Sequence, residues 1–214
     1  MTRFRAVVLD ADNTLAGIEG VDLLAALRGP ALAAEVAALT DRAMRGDVPL
    51  EEVYGRRLAL IRPTAAEVGR LAERYIATAA PGARDAVARL RQEGVDVHVV
   101  SGGVRQALLP FAAWLGLAPE RVHAVTLNFD AAGEYAGFDA GSPLTRADGK
   151  PALVAALALP PPVLAVGDGM TDLAIRGAGA TFAAFTGFTH RAPVVAAADH
   201  VIESFDGLLA LVCP

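Results

Sequence analysis

From residue 81 onward, helical segments alternate with short apolar runs, and glycine or proline stands at most of the joints. This alternation confines the fold to a parallel sheet covered by helices on both faces. The apolar runs are 95–100, 122–127 and 163–166, with shorter ones at 181–183 and 200–202. Several are apolar nearly throughout, as strands buried on two sides must be. Residues 128–138 read as a hairpin turning through Ala131-Ala132-Gly133. One further run, Ala6-Val7-Val8-Leu9, stands apart near the start of the chain. Between it and residue 81 lie four helical patterns, 21–27, 31–44, 50–61 and 64–79, broken by Pro30, Gly46-Asp47, Pro49 and Arg62-Pro63. No strand candidate occurs among them, so the spacing predicts an all-helical lobe inserted after the first strand.

The ends of these strands carry polar groups that packing does not require. Ala6-Val7-Val8-Leu9 delivers Asp10-Ala11-Asp12-Asn13-Thr14. Alternation along a strand turns Asp10 and Asp12 to the same side, at the end where open α/β sheets bind ligands. Two acids there repel one another unless a cation lies between them, although Asp12-Asn13 would also serve as a helix N-cap. The run at 95–100 leads to Ser101-Gly102-Gly103 and then a helix, a combination of hydroxyl, amides and helix N-terminus suited to phosphate. The run at 163–166 leads to Gly167-Asp168-Gly169-Met170-Thr171-Asp172. Acids at a helix start are also favoured by the helix dipole, whereas Lys150, which opens its helix after Asp148-Gly149, opposes it. Lys150 is moreover the only lysine among 19 basic residues, which suggests a position needing a compact ammonium rather than a planar guanidinium.

Composition removes several classes of function. A net charge of −5 argues against nucleic acid or an anionic membrane as partner. The single cysteine, Cys213, excludes internal disulfides and cysteine-cluster metal sites. Residues 151–167 have nearly the length of a membrane span, but Pro160-Pro161-Pro162 divides them into a helix and a strand. Met1-Thr2-Arg3-Phe4-Arg5 leads straight into the first strand without room for a signal peptide, so a cytoplasmic protein is expected. His98, His123, His190 and His200 match no ligand spacing and are expected at strand edges or the surface.

In order along the chain, Asp10-Ala11-Asp12-Asn13-Thr14, Ser101, Lys150, and Gly167-Asp168 with Asp172 resemble the four motifs of the haloacid dehalogenase superfamily of phosphatases. Ile18-Glu19-Gly20-Val21-Asp22, the segment around Arg57 and Gly133-Glu134-Tyr135-Ala136-Gly137-Phe138 narrow the likeness to its phosphoserine phosphatase branch. Val104 departs from the aromatic that members often carry after Ser-Gly-Gly. The resemblance implies an α/β fold: a Rossmann-like parallel sheet core at 1–15 and 78–214, with an inserted all-helical cap domain at 16–77.

It further implies that Asp10 is the nucleophile of an aspartyl-phosphate mechanism, with O-phospho-L-serine hydrolysed to serine and phosphate. Carboxylates are ionised at pH 7, so such a nucleophile needs no activating base. The obstacle is repulsion, roughly 4 kcal/mol for each pair of like unit charges about 4 Å apart at an effective dielectric of 20. The resemblance assigns Mg²⁺ to Asp10, Asp168 and the main-chain carbonyl of Asp12, and phosphate to Ser101, Gly102 and Lys150. Asp12 becomes the general acid and base, and Asp172 orients the metal site or Lys150. Glu19 suits the substrate ammonium, Arg57 its carboxylate, and Met44 and Leu50 the pocket walls. A first-turn acid and a solvated arginine are the plainer readings of Glu19 and Arg57. The implied partner is a small phosphomonoester, with neither nucleic acid nor membrane, and a homodimer is left open. The rival reading is a related phosphomonoesterase, or a phosphotransferase passing the group to an alcohol.

Overall fold

The computed structural model describes residues 2–44, 48 and 50–214, with the side chains of residues 41, 43, 44 and 50 outside that description. Strand β1 (Ala6–Leu9) is followed by four helices, α1 (Gly20–Ala26), α2 (Pro30–Met44), α3 (Leu50–Ile61) and α4 (Ala65–Ala77). Helix α5 (Ala83–Gln92) leads to β2 (Asp96–Val104), and α6 (Arg105–Trp114) to β3 (Val122–Val125). Strands β4 (Leu127–Phe129) and β5 (Tyr135–Phe138) form an antiparallel hairpin. The chain continues through α7 (Gly149–Leu157), β6 (Val163–Gly167), α8 (Met170–Leu173), β7 (Thr181–Phe185), α9 (Ala192–Ala197), β8 (His200–Ile202) and α10 (Phe205–Val212).

Six strands form one sheet in the order β3-β2-β1-β6-β7-β8, and every pairing in it is parallel. All four residues of β1 are buried, as its uninterrupted apolar sequence requires of a central strand. Building outward from β1, the chain adds β2 and β3 on one side and β6, β7 and β8 on the other. The order therefore reverses between β1 and β6, which opens a crevice at their carboxyl ends.

The inserted helices leave and rejoin the sheet at adjacent points. Ala16 bridges to Ala79, the Gly17 amide donates to the Thr78 carbonyl at 3.0 Å, and the Ala80 amide donates to the Leu15 carbonyl at 2.8 Å. Helix α4 starts from a capping box in which Thr64 and Glu67 satisfy each other's backbone amides. Its buried stripe of Val68, Leu71, Ala72 and Tyr75 follows helical spacing and packs against α1 and α6. Arg28 ties the inserted helices together, donating to the Ile61 and Arg62 carbonyls and to both oxygens of Glu67.

Two expectations need correction. The run 122–127 is divided between β3 and β4. The side-chain amide of Gln106 donates to the Leu127 carbonyl at 2.5 Å and accepts from the Leu127 amide at 3.1 Å. It thereby takes the place of a neighbouring strand and frees the chain to turn into the hairpin. Strand β2 also continues through Ser101-Gly102-Gly103, so helix α6 begins only at Arg105.

Candidate active site

The crevice between β1 and β6 holds the residues that the sequence singled out. Leu9 stands level with Val99 and Val166, and the Asp10 amide donates to the Val166 carbonyl at 2.9 Å. Asp10 therefore emerges where β1 ends, and Asp168 directly follows β6. A cavity of about 550 Å³ opens at this point. Asp10, Asp12, Glu19, Arg57, Ser101, Gly102, Lys150, Asp168 and Asp172 all line it. Residues up to 162 positions apart in sequence thus meet around one space. The side chains of Met44 and Leu50, expected as walls, lie outside the described residues.

Lys150 is the electrostatic centre. Its Nζ donates to Asp10 Oδ1 at 2.7 Å and to Asp172 Oδ1 at 2.5 Å, and all three side chains are buried. Burial opposes the ammonium charge, but the two carboxylates outweigh it and hold Lys150 above the ordinary lysine range. Burial first, and Asp10 second, push Asp172 upward against the pull of Lys150. The same two causes raise Asp168, against the Arg191 guanidinium whose Nε donates to Asp168 Oδ2 at 2.9 Å. Gly167 is required beside them, because a Cβ there would overlap the Asp172 carboxylate.

One carboxylate oxygen each from Asp10, Asp168 and Asp172 lies within 4.8 Å of the others. Among the described residues six acids and four cations line the cavity, so acidic groups outnumber basic ones. Buried, hard oxygen donors with uncompensated charge fit a divalent cation of the same class as magnesium. Asp172 enters this set by its side chain, and Asp12 does not.

Asp12 Oδ1 accepts from the Tyr75 hydroxyl at 2.5 Å and from the Gly20 amide at 3.4 Å. Burial, followed by repulsion from Asp10, pushes its pKa up to about 7. A carboxyl poised there exchanges a proton readily near neutral pH. Glu19 accepts from Asn13 Nδ2 at 2.6 Å and faces Arg191 Nη2 at 3.8 Å. Partial burial, then Asp12, Asp168 and Asp10, push it upward, although 47% of its side chain remains open to water that screens the repulsion.

The opposite wall comes from the inserted helices. Arg57 Nη1 donates to Thr40 Oγ1 at 3.0 Å, and its guanidinium carbon lies 5.7 Å from the Tyr54 ring centre. Its Nε is buried and has no hydrogen-bond partner among the described residues. An unsatisfied buried donor costs about 1–3 kcal/mol, which an incoming carboxylate would recover. The Tyr54 hydroxyl donates to the Gly102 carbonyl at 2.8 Å, bringing helix α3 down onto β2. Ser101 is buried, and its Oγ accepts from the Gly103 amide at 3.1 Å, leaving the hydroxyl proton for another acceptor. The expected cradle at a helix start is thus built on the end of a strand instead.

Tyr75 and Arg191 were not anticipated. Tyr75 occupies a core position in the α4 stripe, where an aromatic reads as packing. Arg191 is one of many arginines, and nothing in its neighbourhood distinguishes it.

Residues 7–175 match the haloacid dehalogenase-like hydrolase family. The chain is 37% identical over 209 residues to the chloroplastic phosphoserine phosphatase of Arabidopsis thaliana, covering 95% of this chain and 70% of that protein. A solved phosphoserine phosphohydrolase-like protein from Francisella tularensis superposes with a TM-score of 0.86 at 25% identity, covering 97% of this chain and 99% of that one. A phospho-aspartyl intermediate analogue of phosphoserine phosphatase superposes with a TM-score of 0.77 at 25% identity, covering 96% and 97%. By its matched length, its fold and its relatives, this chain belongs to the haloacid dehalogenase-like hydrolases.

Proposed function

We propose that this chain is a magnesium-dependent phosphoserine phosphatase of the cytoplasm, in which residues 16–77 form a cap over a discontinuous core of 1–15 and 78–214. The observation that carries the reading is one cavity joining Asp10, Ser101, Lys150 and Asp168 to Arg57 and Glu19. The first group provides chemistry for a phosphate ester; the second provides a cation for a carboxylate and an acid for an ammonium. Paired backbone contacts at the start and end of the insertion support the division into cap and core. Among the described residues no helix is long and apolar enough to cross a membrane.

In this mechanism the substrate phosphate lies against Ser101, the Gly102 amide and Lys150. A carboxylate oxygen of Asp10 attacks phosphorus, and the bond to the serine oxygen breaks as Asp12 supplies that oxygen with a proton. Asp12 then takes a proton from water, which attacks the aspartyl-phosphate and releases phosphate. Asp172 keeps Lys150 in place through their 2.5 Å contact. Asp10, Asp168 and the main-chain carbonyl of Asp12 would hold Mg²⁺. That ion, when bound, supplies positive charge against the repulsion between phosphate and carboxylates.

Phosphate release is to be measured with and without Mg²⁺ on O-phospho-L-serine, phosphothreonine and sugar phosphates, and with homoserine as acceptor. The serine ester should give the highest kcat/KM, and only with the metal. Arg57→Ala should raise KM for phosphoserine about 10- to 100-fold, and much less for an ester without a carboxylate. Equal losses on both esters would remove Arg57 from substrate selection. A sugar phosphate turned over faster than phosphoserine would overturn the substrate assignment.

A further inference from the structure

We infer that Tyr75 is a positioning residue for proton transfer: its hydroxyl fixes the Asp12 carboxyl so that one oxygen is left to face the leaving group. The inference rests on the phosphatase reading above and adds to it a residue from the inserted helices.

Tyr75 lies in the last turns of α4 and is fully buried. Its ring stacks on Phe111 of α6, with ring centres 5.6 Å apart, so packing fixes the direction of the hydroxyl. That hydroxyl donates to Asp12 Oδ1 at 2.5 Å. The Gly20 amide donates to the same oxygen at 3.4 Å. Among the described residues, no donor is bonded to Oδ2. The surroundings are shaped to admit the tyrosine: a Cβ on Gly20 would overlap its hydroxyl, and a Cβ on Gly103 would lie 3.4 Å from it.

An aspartate carboxyl turns about two torsions, and a single donor leaves it free to swing. Two donors converging on Oδ1 restrain both torsions and aim Oδ2 into the cavity. Proton transfer needs a heavy-atom separation of about 2.6–3.2 Å, so a swing of even 1 Å matters. In the step itself, Oδ2–H passes its proton to the serine oxygen as the P–O bond breaks, and Oδ2 later accepts a proton from the attacking water. Tyr75 retains its own proton throughout. Because Tyr75 belongs to the returning helix of the insertion, the aim of Asp12 depends on how that helix seats against α6.

Tyr75→Phe keeps the ring and its packing and removes only the hydrogen bond. For phosphoserine, kcat should fall about 10- to 100-fold while KM stays within about twofold. For p-nitrophenyl phosphate, whose leaving group needs no proton, the first turnover should stay near the wild-type rate while hydrolysis slows, giving a burst of nitrophenolate. Placing Tyr75→Phe on an Asp12→Asn background should add no further loss, since the tyrosine acts only through that carboxyl. Thermal unfolding of the variant within a few degrees of wild type would confirm that the loss is not one of folding. A kcat within twofold of wild type, a first turnover slowed as much as hydrolysis, or additive losses in the double variant would each overturn the inference. Wild-type protein that releases no phosphate from phosphoserine with Mg²⁺ would instead overturn the parent reading, and the inference with it.

Discussion

At the carboxyl ends of β1 and β6 the protein gathers Asp10, Asp168 and Asp172 around a single lysine; on β2 and β3 it pairs His98 with His123. The rings of this second cluster stack with centres 5.3 Å apart, and His98 Nδ1 lies 3.0 Å from His123 Nε2. Arg121 can only donate, so His98 Nε2 accepts from it at 2.7 Å. The His98 proton is therefore assigned to Nδ1, from which it is donated to His123. Asp96 Oδ2, 3.3 Å from the same Nε2, is held by Arg121 as well. The shared nitrogen and carboxylate are thus two acceptors on one guanidinium. The histidine cluster matches donors to acceptors and keeps its rings neutral. The acid cluster, by contrast, sets three carboxylates against two cations, Lys150 and Arg191. Balance marks a polar group built for packing, whereas surplus charge marks one waiting for a ligand.

The sharpest way to break this contrast is Asp10→Asn. Phosphate release should fall at least about 10⁴-fold, as expected on removing a nucleophile. Mg²⁺ should raise the melting temperature of wild type, because a ligand at 100 times its Kd contributes about 2.7 kcal/mol, and should raise that of the variant much less. Residual turnover within tenfold of wild type would remove Asp10 from the chemistry, and an undiminished shift with Mg²⁺ would place the cation elsewhere.

Lys150→Arg should cost about 10²- to 10³-fold in kcat although the charge is kept, because a bulkier planar guanidinium cannot take the buried position that the compact ammonium fills between Asp10 and Asp172. Rates close to normal would mean that the cluster needs only a positive charge.

The smallest effect is expected at the histidines. Burial first, then His98, Arg105 and Arg121, push the His123 pKa down to about 4, while burial lowers His98 against the opposing pull of Asp96. Between about 6.5 and 4 the unfolded chain takes up a proton that the folded protein refuses. The stabilisation is therefore complete above 6.5 and is lost as pH falls toward 4. His123→Gln should flatten the decline in melting temperature between pH 7 and 5 and leave turnover at pH 7 unchanged. A decline as steep as that of wild type would remove His123 from acid sensitivity.

Much of this was legible in the chain itself. The order of helices and strands followed from apolar runs and their glycine and proline punctuation, because the spacing of apolar residues records which faces of a segment are buried and glycine and proline interrupt regular backbone. Asp10, Lys150, Ser101 and Asp168 stood out because each sits just beyond an apolar run or opens a helix, where packing alone asks for no such side chain. His98 reads locally as a strand-edge residue, yet it is buried, since its partners His123 and Arg121 come from β3 and the turn before it. The division of 122–127 depended likewise on Gln106, a side chain from another element. Local pattern determined which segments become strands and helices and which residue types stand at the strand ends. Tertiary structure alone decided that Tyr75 meets Asp12, that Arg191 meets Asp168 and that Lys150 bridges Asp10 and Asp172. Those choices depend on the approach of distant elements, and helical or strand periodicity carries no record of which distant side chain will supply the partner.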